Sequence, residues 1–175
     1  MKLKTRDIVY IGFIAALCAV ATTIRIEIPG GAMVHLGSAA LFTSSILFGG
    51  LYGGLGAAIG SALFDLFGGH TQYIVFSFFI KGIAGLIVGG MTAGYLPPSI
   101  NKPTASFSRI LVALIIGAIW TAFGYFIAWW FVLNSAAVAA SKIQYSLITS
   151  AAGIVVAIVL TPKLQAVVRR LFTKN

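Results

Sequence analysis

Acidic side chains are almost missing from this sequence: Asp7, Glu27 and Asp65 are the only three in 175 residues. Charged residues of either sign make up 9%, where a water-soluble domain carries roughly 25%. That shortage excludes an ordinary soluble globule, whose surface needs many solvated charges. Cys18 is the only cysteine, so the chain has no internal disulfide and no thiolate metal cluster. Lying inside an apolar run, it reads as a small packing residue. Catalytic constellations are missing too. No histidine and carboxylate stand at metal-ligand spacing, and no Ser, His and Asp set falls at plausible depth. The glycine runs lack the Lys-Ser/Thr that a nucleotide-binding loop requires. Catalytic residues, a metal site and a cofactor are therefore not expected.

What is there is apolar. Hydrophobic residues make up 59% and the mean hydropathy is +1.03, so lipid is the solvent this chain fits. The length predicts one domain over residues 1–175, an all-α membrane protein with a six-transmembrane-helix bundle. The apolar runs place spans at 8–26, 36–48, 51–67, 72–96, 110–133 and 143–160. The second run is short against a hydrocarbon core of ~30 Å at 1.5 Å per residue. Gly49-Gly50 and Pro97-Pro98 act as breaks, Pro29-Gly30-Gly31 marks a loop, and residues 163–172 after Pro162 read as an amphipathic tail on the cytoplasmic surface. The basic-then-apolar N-terminus resembles a signal peptide. The rest of the chain is equally hydrophobic, however, so it is read as the first span.

Nine of the twelve basic residues cluster beside apolar runs: Lys2, Lys4 and Arg6; Lys102 and Arg109; Lys163, Arg169, Arg170 and Lys174. Clusters of this kind mark cytoplasmic loops, so both termini are expected in the cytoplasm. The net charge of +9 then follows from topology, and without a basic groove interleaved with aromatics nucleic acid is not an expected partner. Gly49, Gly53, Ala57 and Ser61 share a helical face, as do Gly56 with Gly60 and Gly85 with Gly89. Small residues four apart let helices approach closely in lipid.

Polar residues converge on the presumed outer face. Glu27 and His35 flank the first loop, Asp65 ends the third span, and His70, Gln72 and Tyr73 follow it. Asn134, Lys142, Gln144 and Tyr145 stand around the last outer loop. Together they are candidates for a solute-binding cup, with the Pro-Gly-Gly loop as its lid. Lys81 lies nine residues beyond Gln72, so its Cα is roughly 13 Å deeper along the helix. A lysine there costs about 2.5 to 3.5 kcal/mol on insertion scales and should face the bundle interior with a partner. Two readings stay open: an internal pair with Asp65, or a donor at the floor of the cup. Of Trp129 and Trp130, adjacent on a helix and about 100° apart, at most one faces inward; Trp130 is taken as the candidate for stacking on a planar solute.

His35-Leu-Gly-Ser, then ILFGGLYGGLGAAIGSALFDLFGG and FFIKGIAGLIVGG, resemble the substrate-binding S components of energy-coupling factor (ECF) vitamin transporters. The resemblance is good over residues 5–95 and narrower to the riboflavin, hydroxymethylpyrimidine and pyridoxine group. It implies a subunit in the plasma or inner membrane that captures a small-molecule vitamin from outside. It also implies docking on a transmembrane T subunit that carries two cytoplasmic ATPases, where ATP would be hydrolysed. An Ala-x-x-x-Ala element of the first helix contacts the T subunit in that family. Ala15 and Ala19 match it, with Gly12 and Ala16 as a second small pair. Hydroxymethylpyrimidine or pyridoxine is the favoured solute, with riboflavin and pantothenate as alternatives. A self-sufficient secondary transporter or channel, and a structural assembly protein, are the competing classes; no inverted repeat supports the former.

Overall fold

The computed structural model describes residues 4–28, 32–95 and 105–173. Within them the chain forms α1 (Thr5–Thr23), a hairpin of β1 (Arg25–Ile28) and β2 (Ala32–His35), α2 (Gly37–Phe48) and α3 (Gly50–Phe67). A 3₁₀ turn (Thr71–Tyr73) then leads into α4 (Ile74–Thr92), followed by α5 (Phe107–Leu133) and α6 (Ala136–Thr173). Five of these helices are long and apolar enough to cross a membrane, and α2, at 12 residues, is shorter. The proline-glycine loop at 29–31, the Pro97-Pro98 break and the Lys2, Lys102 and Lys174 positions lie outside the described residues.

The helix α2 is the hub. It packs against α1, α3, α4 and α6, and from Leu41 to Leu47 every residue is buried. With neighbours on all sides it turns no face to solvent, and its hydroxyl residues Ser38, Thr43, Ser44 and Ser45 are buried along with Leu41 and Phe42. Gly49 ends it with φ at 87°, a left-handed conformation glycine adopts without a Cβ clash, and α3 starts one residue later. Ile14, Cys18, Leu41, Phe42, Val88 and Leu114 fill the core. Outward, Ile8, Phe13 and Val20 on α1 and Ile119, Phe123 and Phe131 on α5 are exposed. Apolar surface of that extent belongs against lipid.

Glycines set the closest helix contacts. A Cβ on Gly85 of α4 would stand 2.6 Å from the Cα of Gly54 on α3, and one on Gly60 would run into the Ala15 carbonyl of α1. Backbone is pressed on backbone, the geometry that small residues four apart permit.

Three expectations need correction. Arg25 and Ile26 belong to a β-hairpin rather than to the end of the first span; Arg25 pairs with His35 and Glu27 with Met33 in antiparallel register. The loop expected over 134–142 shrinks to a tight turn: Asn134, at φ 52°, caps α5, and the Ser135 hydroxyl accepts the Val138 N–H at 3.3 Å, an N-cap that starts α6. Nor does Pro162 separate a tail, because it lies inside the single 38-residue helix α6.

Candidate solute-binding site

A cavity of about 80 Å³ lies at the hairpin end of the bundle, where β2 and all six helices meet. Its wall is built from residues four apart. Ser61 and Asp65 come from α3, Ser77 and Lys81 from α4, Thr121, Tyr125 and Trp129 from α5, and Ser146 and Ser150 from α6. Side chains at i and i+4 share a face, so each helix turns one polar stripe inward and the rest toward core or lipid.

Lys81 is 3% exposed. Its Nζ donates to Ser38 Oγ at 3.1 Å and sits 5.4 Å from the centre of the Tyr125 ring, within cation–π range. The Tyr125 hydroxyl shares a 3.0 Å hydrogen bond with Ser77 Oγ. Asp65 is 7% exposed, and its Oδ2, like His70 Nε2 and Ser150 Oγ, is buried without a hydrogen-bond partner. Each such orphan costs about 1–3 kcal/mol. Several orphans on one wall mark a space built for polar contents. Among the described residues Lys81 and Asp65 form no ion pair; the pair seen is Arg25 with Glu27, at 2.7 Å. The internal Lys81–Asp65 salt bridge is thereby replaced by two separate charged positions on one cavity wall.

The hairpin closes one side. Thr149 Oγ1 on α6 donates to the Met33 carbonyl at 3.4 Å, and the Arg25 guanidinium lies 5.1 Å from the centre of the Phe64 ring on α3. Met33 and His35 thereby reach the cavity. His35 Nδ1 accepts the Gly37 N–H at 3.1 Å. Burial, helped by the Lys81 and Arg25 charges, pushes its imidazole down to about 3. The ring is therefore neutral at pH 7 and carries its proton on Nε2.

His35, Asp65, His70, Tyr73 and Lys81 line the cavity as the sequence suggests. Other candidates do not reach it. Glu27 is 68% exposed and paired with Arg25, and Gln72, Asn134 and Gln144 are exposed. Tyr145 is half-buried off the wall, one residue from Ser146, which takes the inward position. Lys142, expected in a loop, is a buried residue of α6. The tryptophans are reversed: Trp130 is 48% exposed and Trp129 lines the cavity, one step round the helix. On α1, Gly12 and Ala16 are exposed and Ala19 is half-buried. Ala15, 3% exposed, is used up against Gly60 of α3 and offers no open face. The hydroxyls of Ser77, Thr121, Ser146 and Ser150 were missed, although their four-residue spacing with Lys81, Tyr125 and each other is visible in the sequence; Ser38, with no such spacing, was missed as well.

An apolar-surfaced helical bundle of this kind, with a polar cavity at one end, is a multi-pass membrane protein. The family model for the ECF-type riboflavin transporter S component matches residues 2–166, and the chain belongs to that family of ECF S components, the substrate-binding part of a transporter rather than an enzyme. It is 28% identical over 142 residues to an uncharacterised protein of Pyrococcus woesei encoded in the gap 3′ region, covering 81% of this chain and 88% of that protein. Its fold is similar to a solved structure described as the S component of a bacterial ECF transporter. The TM-score is 0.66 at 20% identity, covering 93% of this chain and 96% of the other.

Proposed function

We propose that this chain captures a small heteroaromatic vitamin or vitamin precursor, hydroxymethylpyrimidine or pyridoxine, for an ATP-driven ECF importer. The observation that carries this reading is the cavity, with Tyr125 and Trp129 as flat walls and Lys81 and Asp65 as polar contacts. At ~10–15 Å³ for each water, about 80 Å³ holds on the order of half a dozen waters. That space suits one substituted six-membered ring and is tight for a fused three-ring flavin. The solute would enter from outside the plasma or inner membrane, with both termini in the cytoplasm. A T subunit bearing two ATPases would dock on the open small-residue face of α1, at Gly12, Ala16 and Ala19. Riboflavin is the second reading, favoured by the description of the matching family model.

The deciding experiment is native mass spectrometry of the detergent-purified chain for co-purifying small molecules, followed by titration with pyridoxine, hydroxymethylpyrimidine and riboflavin. Tight binding of a single-ring solute is expected. Tight riboflavin binding with neither single-ring solute held moves the site to the flavin. Failure of all three removes this set of solutes.

A further inference from the structure

We infer that the solute is amphoteric: one edge of its ring gives a hydrogen-bond donor or positive charge to Asp65, and another gives an acceptor or negative charge to Lys81. The inference rests on the cavity being the solute site and concerns what the two charged groups require of its occupant. Both line the same cavity and both are more than nine-tenths buried, yet they do not meet in an ion pair. A chain of contacts spaces them apart. Ser77 stands beside Asp65, its hydroxyl is bound to that of Tyr125, and the Tyr125 ring carries Lys81 on its face. Because Tyr125 is held by Ser77, the two charges stay separate.

Each end is incomplete in a complementary sense. The Lys81 ammonium has three protons to donate and one hydrogen bond among the described residues, to Ser38; it wants an acceptor. Asp65 Oδ2 is a buried acceptor without a donor, with the unpartnered His70 Nε2 also on this wall. A buried charge that loses its partner is strongly unfavourable. A solute carrying only a positive charge leaves Lys81 unmatched, and one carrying only a negative charge leaves Asp65 unmatched. A neutral but polarised ring matches both, and the occupied cavity then holds one positive and one negative protein group, each compensated. Hydroxylated pyridines, with a basic ring nitrogen and an acidic hydroxyl on separate ring positions, have this character. Aminopyrimidines, with an amine across from a ring nitrogen or hydroxyl, share it. The aromatic sides of Tyr125 and Trp129 fit a flat ring of either kind.

The test is calorimetric titration of the full chain and of Asp65→Asn and Lys81→Gln, with melting curves to confirm folding. The probes are pyridoxine, its 3-deoxy analogue and its carbocyclic analogue without the ring nitrogen, with hydroxymethylpyrimidine and its des-amino form run in parallel. The unmodified chain should prefer each parent over its analogues by about 10-fold or more, as for a lost charge-assisted hydrogen bond. In Lys81→Gln the preference over the 3-deoxy analogue should vanish while that over the carbocycle survives, and Asp65→Asn should show the reverse. If a variant fails to fold, the analogue series on the unmodified chain decides. Equal affinity for parents and analogues overturns the inference but leaves capture of a single-ring solute standing. Riboflavin binding with neither parent held overturns the single-ring reading first, and this inference with it.

Discussion

Gly85→Ala measures how much of this fold depends on backbone-to-backbone contact between α3 and α4. The added Cβ would stand 2.6 Å from Gly54 Cα, 2.8 Å from Gly54 N and 3.0 Å from Gly53 C. All three are backbone atoms, so no side chain can swing aside. Ordinary contact begins near 3.5 Å, and α4 must therefore back away from α3 by roughly 1 Å. Overpacking of this kind costs about 1–3 kcal/mol. Alanine also returns ~1 kcal/mol of helix propensity over glycine, which would hide part of the cost. Gly12→Ala supplies the correction, because that position has nothing within 4 Å of an added Cβ and gains the propensity alone. The difference between the two variants isolates the contact at about 1–3 kcal/mol. At ~2–4 °C per kcal/mol for a chain of this size, Gly85→Ala should melt roughly 2–12 °C below Gly12→Ala in the same detergent. Affinity for the solute should fall too, since Asp65 and Lys81 ride on the two helices being separated. Melting temperatures equal within one degree would refute the reasoning.

Trp129→Phe should weaken solute binding severalfold, by about the 0.5–1.5 kcal/mol that aromatic stacking contributes, whereas Trp130→Phe should leave it unchanged; titration of both checks which ring faces the cavity. Ala16→Leu should reduce assembly with the T subunit and ATPases, read by co-purification, while the isolated chain keeps its affinity for solute; normal assembly would remove that face from docking. His35 binds its proton more weakly in the folded chain than in the unfolded one. Between about 3 and the ordinary histidine value of ~6.5, the unfolded chain therefore holds more protons and stability rises with pH. Melting temperature should drop as pH falls from 7 to 4.5, and the drop should shrink in His35→Gln; an unchanged slope would show that this ring does not carry the effect.

Apolar runs made the first five helices legible because lipid leaves little choice: an interval of that hydropathy has to satisfy its own backbone. The hairpin was less visible. Arg25-Ile-Glu-Ile does alternate, as a strand should, but it continues an apolar run without a break. Around residue 136 the polar Asn134, Ser141 and Lys142 suggested a loop, while the alanines among them are the best helix formers. Pro162 misled in the same region, since a proline normally ends a helix and here does not. In the cavity, charged groups were readable because their burial demands a reason. Serines and threonines were not, because such residues in apolar helices also bond to their own backbone. Thr22 and Thr121 do so, donating to Cys18 O and Gly117 O, while also lining the wall. Choosing between Trp129 and Trp130 required the rotation of α5, which no local signal fixes.

The unbroken course of α6 has a mechanical consequence. Ser146 and Ser150 stand on the cavity wall near one end, and the same helix runs on to Thr173. From Thr149 to Thr173 the shaft measures about 36 Å at 1.5 Å per residue. Pivoted at the cavity, a tilt of about 10° would sweep the far tip through about 6 Å, more than a full helical turn. A shift of a fraction of an ångström at the cavity wall becomes a displacement of several ångströms at the far tip. The helix is a lever whose short arm rests on the cavity wall.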